Sequence, residues 1–361
     1  MMKLTKDLEF LKELSELNGI GGYEKEVRKY MEKHFLEVVD KEDIMVDGLG
    51  SIAARLVGDE NGPKIMVAGH MDEIGMIVTK ITDEGFLKFQ TVGGWWSQVM
   101  LAQEFNVTTR EGKVYRGVIG SKPPHLLSPE ELKNPAKIDD MFLDLGVKDK
   151  EEVEKLGVRV GDMITPAISF TPLANPNYLL GKAWDNRIGC AIAIEVLKRL
   201  KKEKHPNIVY GVGTVQEEVG LRGAKTSGQM INPDICFAVD VGIAKDTPGT
   251  DMSVKMGEGP AILVYDGALI GHVGLREVVL EVAKEHNIPF QLDYLKRGGT
   301  DAGAVSLVHQ GVPAMSFCIA TRYIHSHTSI LHKDDYENAV KLLVEVIKRL
   351  DRETVNKITF E

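Results

Sequence analysis

Apolar residues recur at three- and four-residue steps over 4–17 and again over 23–38, with NGIGG at 18–22 breaking the run, so the chain is expected to open on two amphipathic helices. Short apolar runs follow at 51–56 and 64–68, the second reading KIMVA before GHMDEIG. From 73 to about 172 the rhythm changes. Alternating runs are cut there by Asp-Glu-Gly, Arg-Glu-Gly-Lys and Gly-Asp turns, the pattern of a small β-barrel or sandwich. Helical spacing returns at Trp184: Ile188, Ile192, Val196 and Leu200 stand four apart, with Asp185 in the N-cap position, and predict a helix over 186–202. Strands at 208–215, 235–239, 262–265 and 314–319 then alternate with helical stretches at 221–230, 275–285, up to 309, and 335–350. That alternation predicts an α/β fold: a largely parallel central sheet with helices on both faces, interrupted by the β-rich block. The expected division is one discontinuous domain, 1–72 with 173–361, and an inserted β-barrel domain at 73–172, because surface loops tolerate insertions.

Composition leaves room for this plan. At 361 residues and 43% hydrophobic content, the chain can bury a large core and make two domains. Its 53 acidic and 44 basic residues give a net charge of -9, which argues against broad nucleic-acid or anionic-membrane binding. Cys190, Cys236 and Cys318 lie far apart in apolar segments with no Cys-x-x-Cys, so neither a disulfide framework nor a thiolate zinc site is expected. Buried thiols in a reducing cytoplasm fit better. The first twenty residues thread charges through their apolar positions, unlike a standard signal peptide, and no stretch approaches the ~18 apolar residues of a membrane span. A cytoplasmic protein is the expectation.

The reactive side chains gather where strands end. His70 and Asp72 follow the run at 64–68, Glu217 and Glu218 that at 208–215, Asp240 that at 235–239, and His325 that at 314–319. Asp185 joins them from a helix start. In open α/β sheets, ligands collect outside the carboxyl ends of the strands. Neighbouring side chains on extended backbone point apart, so Glu217 and Glu218 can divide one task, one facing a metal and the other the water on it. Two imidazoles and several carboxylates without a thiolate suit Zn²⁺, Co²⁺ or Mn²⁺, and the number of groups serves two ions. Each residue alone has a plainer reading: His70 a hydrogen-bonded loop residue, Asp185 an N-cap, Asp240 a turn former, the Glu pair a solvated surface. Their shared position at one end of one sheet favours the joint reading.

The stretches GHMDEIG, AWDNRIG, TVQEEVGLRGA, VDVG, GGTDAG and RYIH, in this order and with a β-rich insertion after the first, resemble the glutamyl aminopeptidase and tetrahedral aminopeptidase family of dinuclear metallopeptidases. The similarity spans essentially the whole chain. It implies a zinc-exopeptidase-like fold and two divalent cations per subunit, Zn²⁺ or Co²⁺, with Asp185 bridging them. His70 and Asp240 would complete one ion, Glu218 and His325 the other. Glu217 would be the general base, and Asp72 would orient His70. The resemblance also implies that the insertion assembles large homo-oligomers, dodecamers built from dimers, with Trp95, Trp96 and Tyr115 as interface anchors or barrel core. His327, in RYIHSHTS, is the reserve for His325, and GGTDAG is either a turn near substrate or a helix start. The expected activity is removal of N-terminal residues from short peptides by metal-activated water. A hydrolase of N-acyl amino acids or other small amides, a glycoside hydrolase with paired carboxylates, and a scaffold whose metals only hold the fold are the alternatives.

Overall fold

A computed structural model describes residues 4–360; the segment 1–3 and residue 361, which the expected domain bounds include, lie outside the described residues. Four strands run parallel at the centre of the main sheet, in the spatial order Ile208–Thr214, Lys64–His70, Ile235–Ile243, Ala314–Arg322. Their near-continuous apolar runs are explained by helices on both faces. Alternate residues serve opposite sides. Ile65, Val67, Phe237 and Phe317 face a core shared with the helices Lys6–Glu16, Trp184–Leu200, Val273–Glu285 and Lys333–Arg349. Met66, Ala68, Cys236 and Ala238 face the shorter helices Arg222–Ile231 and Asp301–Val305.

Outside that centre the pairing is antiparallel, except between Ala261–Tyr265 and Gln291–Tyr294, which run parallel to each other. Ile52–Val57 adds antiparallel to Ile208–Thr214 on one side, while Ser329–His332, Tyr178–Gly181 and Thr171–Pro172 extend the other side antiparallel. Hydrophobic periodicity reports which face a residue serves and carries no record of strand direction, so the mixed edges went unread. Thr171–Pro172, at the end of the expected insertion, pairs into this main sheet.

Between Gly75 and Pro166, six strands close into an antiparallel barrel around Met76, Val78, Phe105, Val107, Leu143 and Ile164. Closure leaves no unpaired strand edge inside the ring. Trp95 packs half-buried against this core and donates its indole N–H to the Gly75 carbonyl at 3.1 Å, whereas Trp96 stays exposed. Tyr115 is half-buried, its hydroxyl on the Leu156 carbonyl at 3.0 Å.

The junction between barrel and sheet is polar and buried. Glu73 accepts from Lys182 Nζ at 2.6 Å and from Gly19 N–H at 3.2 Å, with the Arg187 guanidinium 3.6 Å away. Arg187 in turn donates to the carbonyls of Leu14, Leu17, Gly19 and Met71. The backbone immediately after His70 is thereby pinned to the first helix and to the Trp184–Leu200 helix.

Candidate metal centre

Strand register brings the candidate residues level. His70 stands opposite Thr214, and Asp240 opposite Cys318, so the carboxyl ends of adjacent central strands open into one pocket. After Thr214 the chain turns through Gln216 at φ +55, and the N–H groups of Glu217 and Glu218 donate to the two oxygens of Asp72 at 3.0 and 3.1 Å. The Asp72 carboxylate therefore holds the turn that carries the Glu pair. His70 Nδ1 lies 2.9 Å from the Asp72 main-chain carbonyl and 3.5 Å from its carboxylate. Because a carbonyl only accepts, that contact places the ring proton on Nδ1 and leaves Nε2 facing the pocket.

Asp185 reaches the pocket by leaving the helix. The expected N-cap role falls to its neighbour: Asp185 and Asn186 have non-helical dihedrals, and Asn186 Oδ1 accepts the Gly189 N–H at 3.0 Å. Freed from capping, Asp185 sets Oδ1 3.0 Å from His70 Nε2 and Oδ2 3.4 Å from His325 Nε2. His70 Nε2 also lies 3.8 Å from Glu217 and 3.9 Å from Asp240, and His325 Nε2 lies 3.6 Å from Glu218. His325 adopts φ +53, and its Nδ1 donates to the carbonyl of Gly94, a barrel residue, at 2.9 Å. His327 turns the other way, its Nε2 on the Glu104 carbonyl at 2.6 Å and its ring edge-on to Phe105.

The donor atoms form three overlapping groups, each within 4.8 Å: His70, Glu217 and Glu218; His70, Asp185 and Asp240; Asp185, Glu218 and His325. Nitrogen and oxygen donors in this mixture suit borderline divalent cations. Glu218 Oε1 is buried without a hydrogen-bond partner, as an oxygen kept for a cation would be. The residues present fit the implied metals.

Burial, with like charges crowded alongside, sets the proton affinities of the carboxylates. Burial, aided by the Asp185 charge, pushes the Glu218 carboxyl up to about 7, and burial raises Glu217 and Asp240 well above the usual carboxylate range. Burial opposes ionisation of Asp185 too, yet its contacts with His325 and His70 hold it well below the ordinary value. His325 rises to about 10, chiefly through Asp185. Burial alone would depress His70, but Glu217, Asp185, Asp72 and Asp240 outweigh it and the net shift is upward.

Two further carboxylates escaped the sequence reading. Glu24, on the turn between the first two helices, accepts the N–H of Gln216 at 2.9 Å, and burial beside Asp72 raises it to about 7. Asp301, the first residue of its helix, is buried beneath the pocket, bonded to the Thr214 hydroxyl, and raised to about 6 by burial. GGTDAG signalled a helix start there. Gly298, Gly299 and Thr300 of the same motif line the pocket, in keeping with the other expectation, a turn near substrate; the buried carboxylate beneath them is what the pattern does not mark.

These shifts have a sign that can be measured. Glu24 and Glu218 keep protons in the fold that the unfolded chain releases near 4.5, so the folded state binds more protons between 4.5 and about 7 and stability falls as pH rises through that window. His325, raised from 6.5 to about 10, adds a contribution present below 6.5 and lost as pH climbs through 10. Asp185 acts oppositely, but only below 3.8. The melting temperature of chelator-treated protein is therefore expected to fall from about pH 5 to about pH 8, and added Zn²⁺ should raise it most at the alkaline end, where cations replace lost protons. Thermal melts over a pH series with and without Zn²⁺ measure this; a flat profile in the chelated protein would contradict the charge crowding.

An α/β sheet whose strand ends gather two imidazoles among carboxylates, interrupted by a closed barrel, has the build of a metallohydrolase. The chain belongs to the M42 glutamyl aminopeptidase family, whose sequence pattern matches residues 50–342. It is accordingly a peptidase, of a family that implies divalent metals. The TET aminopeptidase of the marine sediment archaeon Thaumarchaeota archaeon SCGC AB-539-E09 is 44% identical, with 98% of this chain and 99% of that one covered at a TM-score of 0.94. The glutamyl aminopeptidase of Lactococcus lactis subsp. cremoris is 38% identical over 96% of this chain and 98% of its own length. The Pyrococcus horikoshii TET1 peptidase, which can assemble into a tetrahedron or a large octahedral shell, is 34% identical, with 96% and 100% covered and a TM-score of 0.85. Among the described residues, no helix is long and apolar enough to cross a membrane.

Proposed function

We propose that this protein is a dinuclear-metal aminopeptidase that removes N-terminal residues from short peptides, with Glu217 as general base. The observation that carries the reading is the position of Asp185, one oxygen 3.0 Å from the His70 ring and the other 3.4 Å from the His325 ring. A carboxylate so placed is disposed to bridge two sites, His70 with Asp240 on one side and Glu218 with His325 on the other. Two divalent cations held there, Zn²⁺ or Co²⁺, supply Lewis acidity, acidifying water and polarising the substrate carbonyl.

The chain's own groups do the rest. Glu217 faces the pocket 3.8 Å from His70 Nε2 and is the carboxylate placed to take a proton from water and return it to the departing amine. The Asp72 carboxylate holds the Glu217 and Glu218 backbone, and the Asp72 carbonyl orients His70, so the expected positioning role is divided between its side chain and main chain. The cavity, about 830 Å³, is lined by these residues together with Leu221, Ile243, Leu295 and Arg297. Its carboxylates offer hydrogen-bond acceptors to a protonated α-amino group, an interaction that would make the enzyme read chain ends. An N-acyl amide would fill the same pocket without using those acceptors, and paired-carboxylate glycoside hydrolysis would leave both histidines without a task.

Aminoacyl anilides assayed against their N-acetylated counterparts test the reading. A free amine is expected to raise kcat/KM by about 10²-fold or more, since a buried charge left unpaired is strongly rejected. Cleavage of only the acetylated series would overturn it.

The assembly follows the same logic. The TET1 relative can assemble into a tetrahedron or a large octahedral shell, and this barrel exposes Val114, Val118 and Val160, so we assign the insertion an assembly role in a homo-oligomer, a dodecamer built from dimers. A cytoplasmic location agrees with Cys190, Cys236 and Cys318 all being free and buried.

A further inference from the structure

We propose a second substrate subsite, on the barrel side of His325, that takes a large apolar side chain at the residue following the scissile bond. It rests on the aminopeptidase reading above. A cavity of about 860 Å³ opens between the barrel loop 94–99 and the loop 323–328, and it shares Ile324 and His325 with the pocket that holds His70, Asp185 and the Glu pair. The two cavities thus meet across one imidazole.

Charge decides which end of a peptide goes where. Of the two cavities only the first is lined by carboxylates, Asp185, Glu217, Glu218 and Asp240, so the substrate's α-amino group belongs there, and the rest of the chain must leave past the pocket wall. The second cavity has no Asp, Glu, Lys or Arg in its lining; apart from His325 and His327 its polar groups are neutral, Gln98 among them. His327 is engaged with the Glu104 carbonyl and offers no free ring nitrogen donor on that side. What the cavity offers a substrate is aromatic surface. Trp95 is fixed by its bond to the Gly75 carbonyl and by packing on Phe105, while Trp96 and Tyr323, 59% and 54% exposed, stand unpacked at its walls. Large, rigid aromatic faces exposed beside a reaction centre are suited to hold an apolar side chain.

The barrel loop has been made thin where the peptide would cross. A Cβ on Gly94 would lie 2.9 Å from His325 Nδ1, and one on Gly93 would lie 3.0 Å from Glu218 Oε2. Main chain alone separates the barrel from the metal ligands there. Trp96, expected as an interface anchor or as barrel core, is accordingly assigned to substrate.

The experiment compares three tripeptides that share an N-terminal residue, X-Phe-Ala, X-Gly-Ala and X-Lys-Ala, in the cation-loaded oligomer. The wild type is expected to favour Phe at the second position by about 10-fold in kcat/KM, the scale of one apolar group filling a pocket. Trp96→Ala should bring that ratio close to one. Gln98→Glu, which puts a charge into a neutral wall, should shift preference from X-Phe-Ala to X-Lys-Ala. A ratio unchanged in both variants overturns the subsite, as does an equal loss on X-Phe-Ala and X-Gly-Ala accompanied by a smaller particle in size-exclusion chromatography, which would make Trp96 a contact between copies of the chain. If the wild type cleaves none of the peptides, the aminopeptidase reading falls and the subsite with it; if it cleaves X-Phe-Ala and X-Gly-Ala equally, the subsite alone falls.

Discussion

Glu217→Gln is expected to lower kcat/KM by about 10²–10⁴-fold, the range that positioned proton transfer supplies, while leaving the bound cation content near that of the wild type. The substitution keeps the size and shape of the side chain but replaces one carboxylate oxygen by an NH₂ group, removing its charge and its capacity to accept a proton. Glu217 belongs to one of the three donor groups, whereas Asp185, Glu218 and His70 each belong to two, so cation binding has other supports. The fold is also protected, because Asp72 grips the main-chain N–H of residue 217 and not its side chain. A merely structural carboxylate would give the reverse pattern, with cations or stability lost first. Metal analysis, a thermal melt and steady-state kinetics on the same preparation separate the two, and an active, cation-replete Glu217→Gln enzyme would remove Glu217 as the base.

The strand ends were legible because fully buried strands appear as unbroken apolar runs, and a His, Asp or Glu directly after such a run has few places to go. KIMVA before His70 and ICFAV before Asp240 are of this kind. The barrel was legible through its alternation and its turns. What escaped reading has two physical sources. Long-range choices leave no local mark: the antiparallel edges of the sheet, and the buried position of Asp301 under the pocket, depend on neighbours far along the chain. Main-chain contacts leave no mark either, since the Gly94 carbonyl that holds His325 would be present on any residue. Asp185 combines both problems. In AWDNRIG either Asp185 or Asn186 has the chemistry of a cap, and only the packed structure assigns that task to Asn186 and leaves the charge of Asp185 for the pocket.

That division of labour makes Asp185 the residue whose loss should do the most harm. Asp185→Asn is expected to cost both of the proposed cations and to lower kcat/KM by on the order of 10³-fold or more, because metal charge stabilisation worth several kcal/mol disappears with them. The carboxylate uses one oxygen toward His70 and the other toward His325. An amide retains a single acceptor and turns an NH₂ group toward one of the two rings, so it cannot serve both. Asp240→Asn provides the control: Asp240 belongs only to the group with His70 and Asp185, and its loss should cost one cation and spare the other. Equilibrium dialysis against Zn²⁺, read by elemental analysis, resolves the two cases. If Asp185→Asn and Asp240→Asn lost the same single ion, Asp185 would be an ordinary one-sided ligand, and the two histidines would report separate sites that happen to share a cavity.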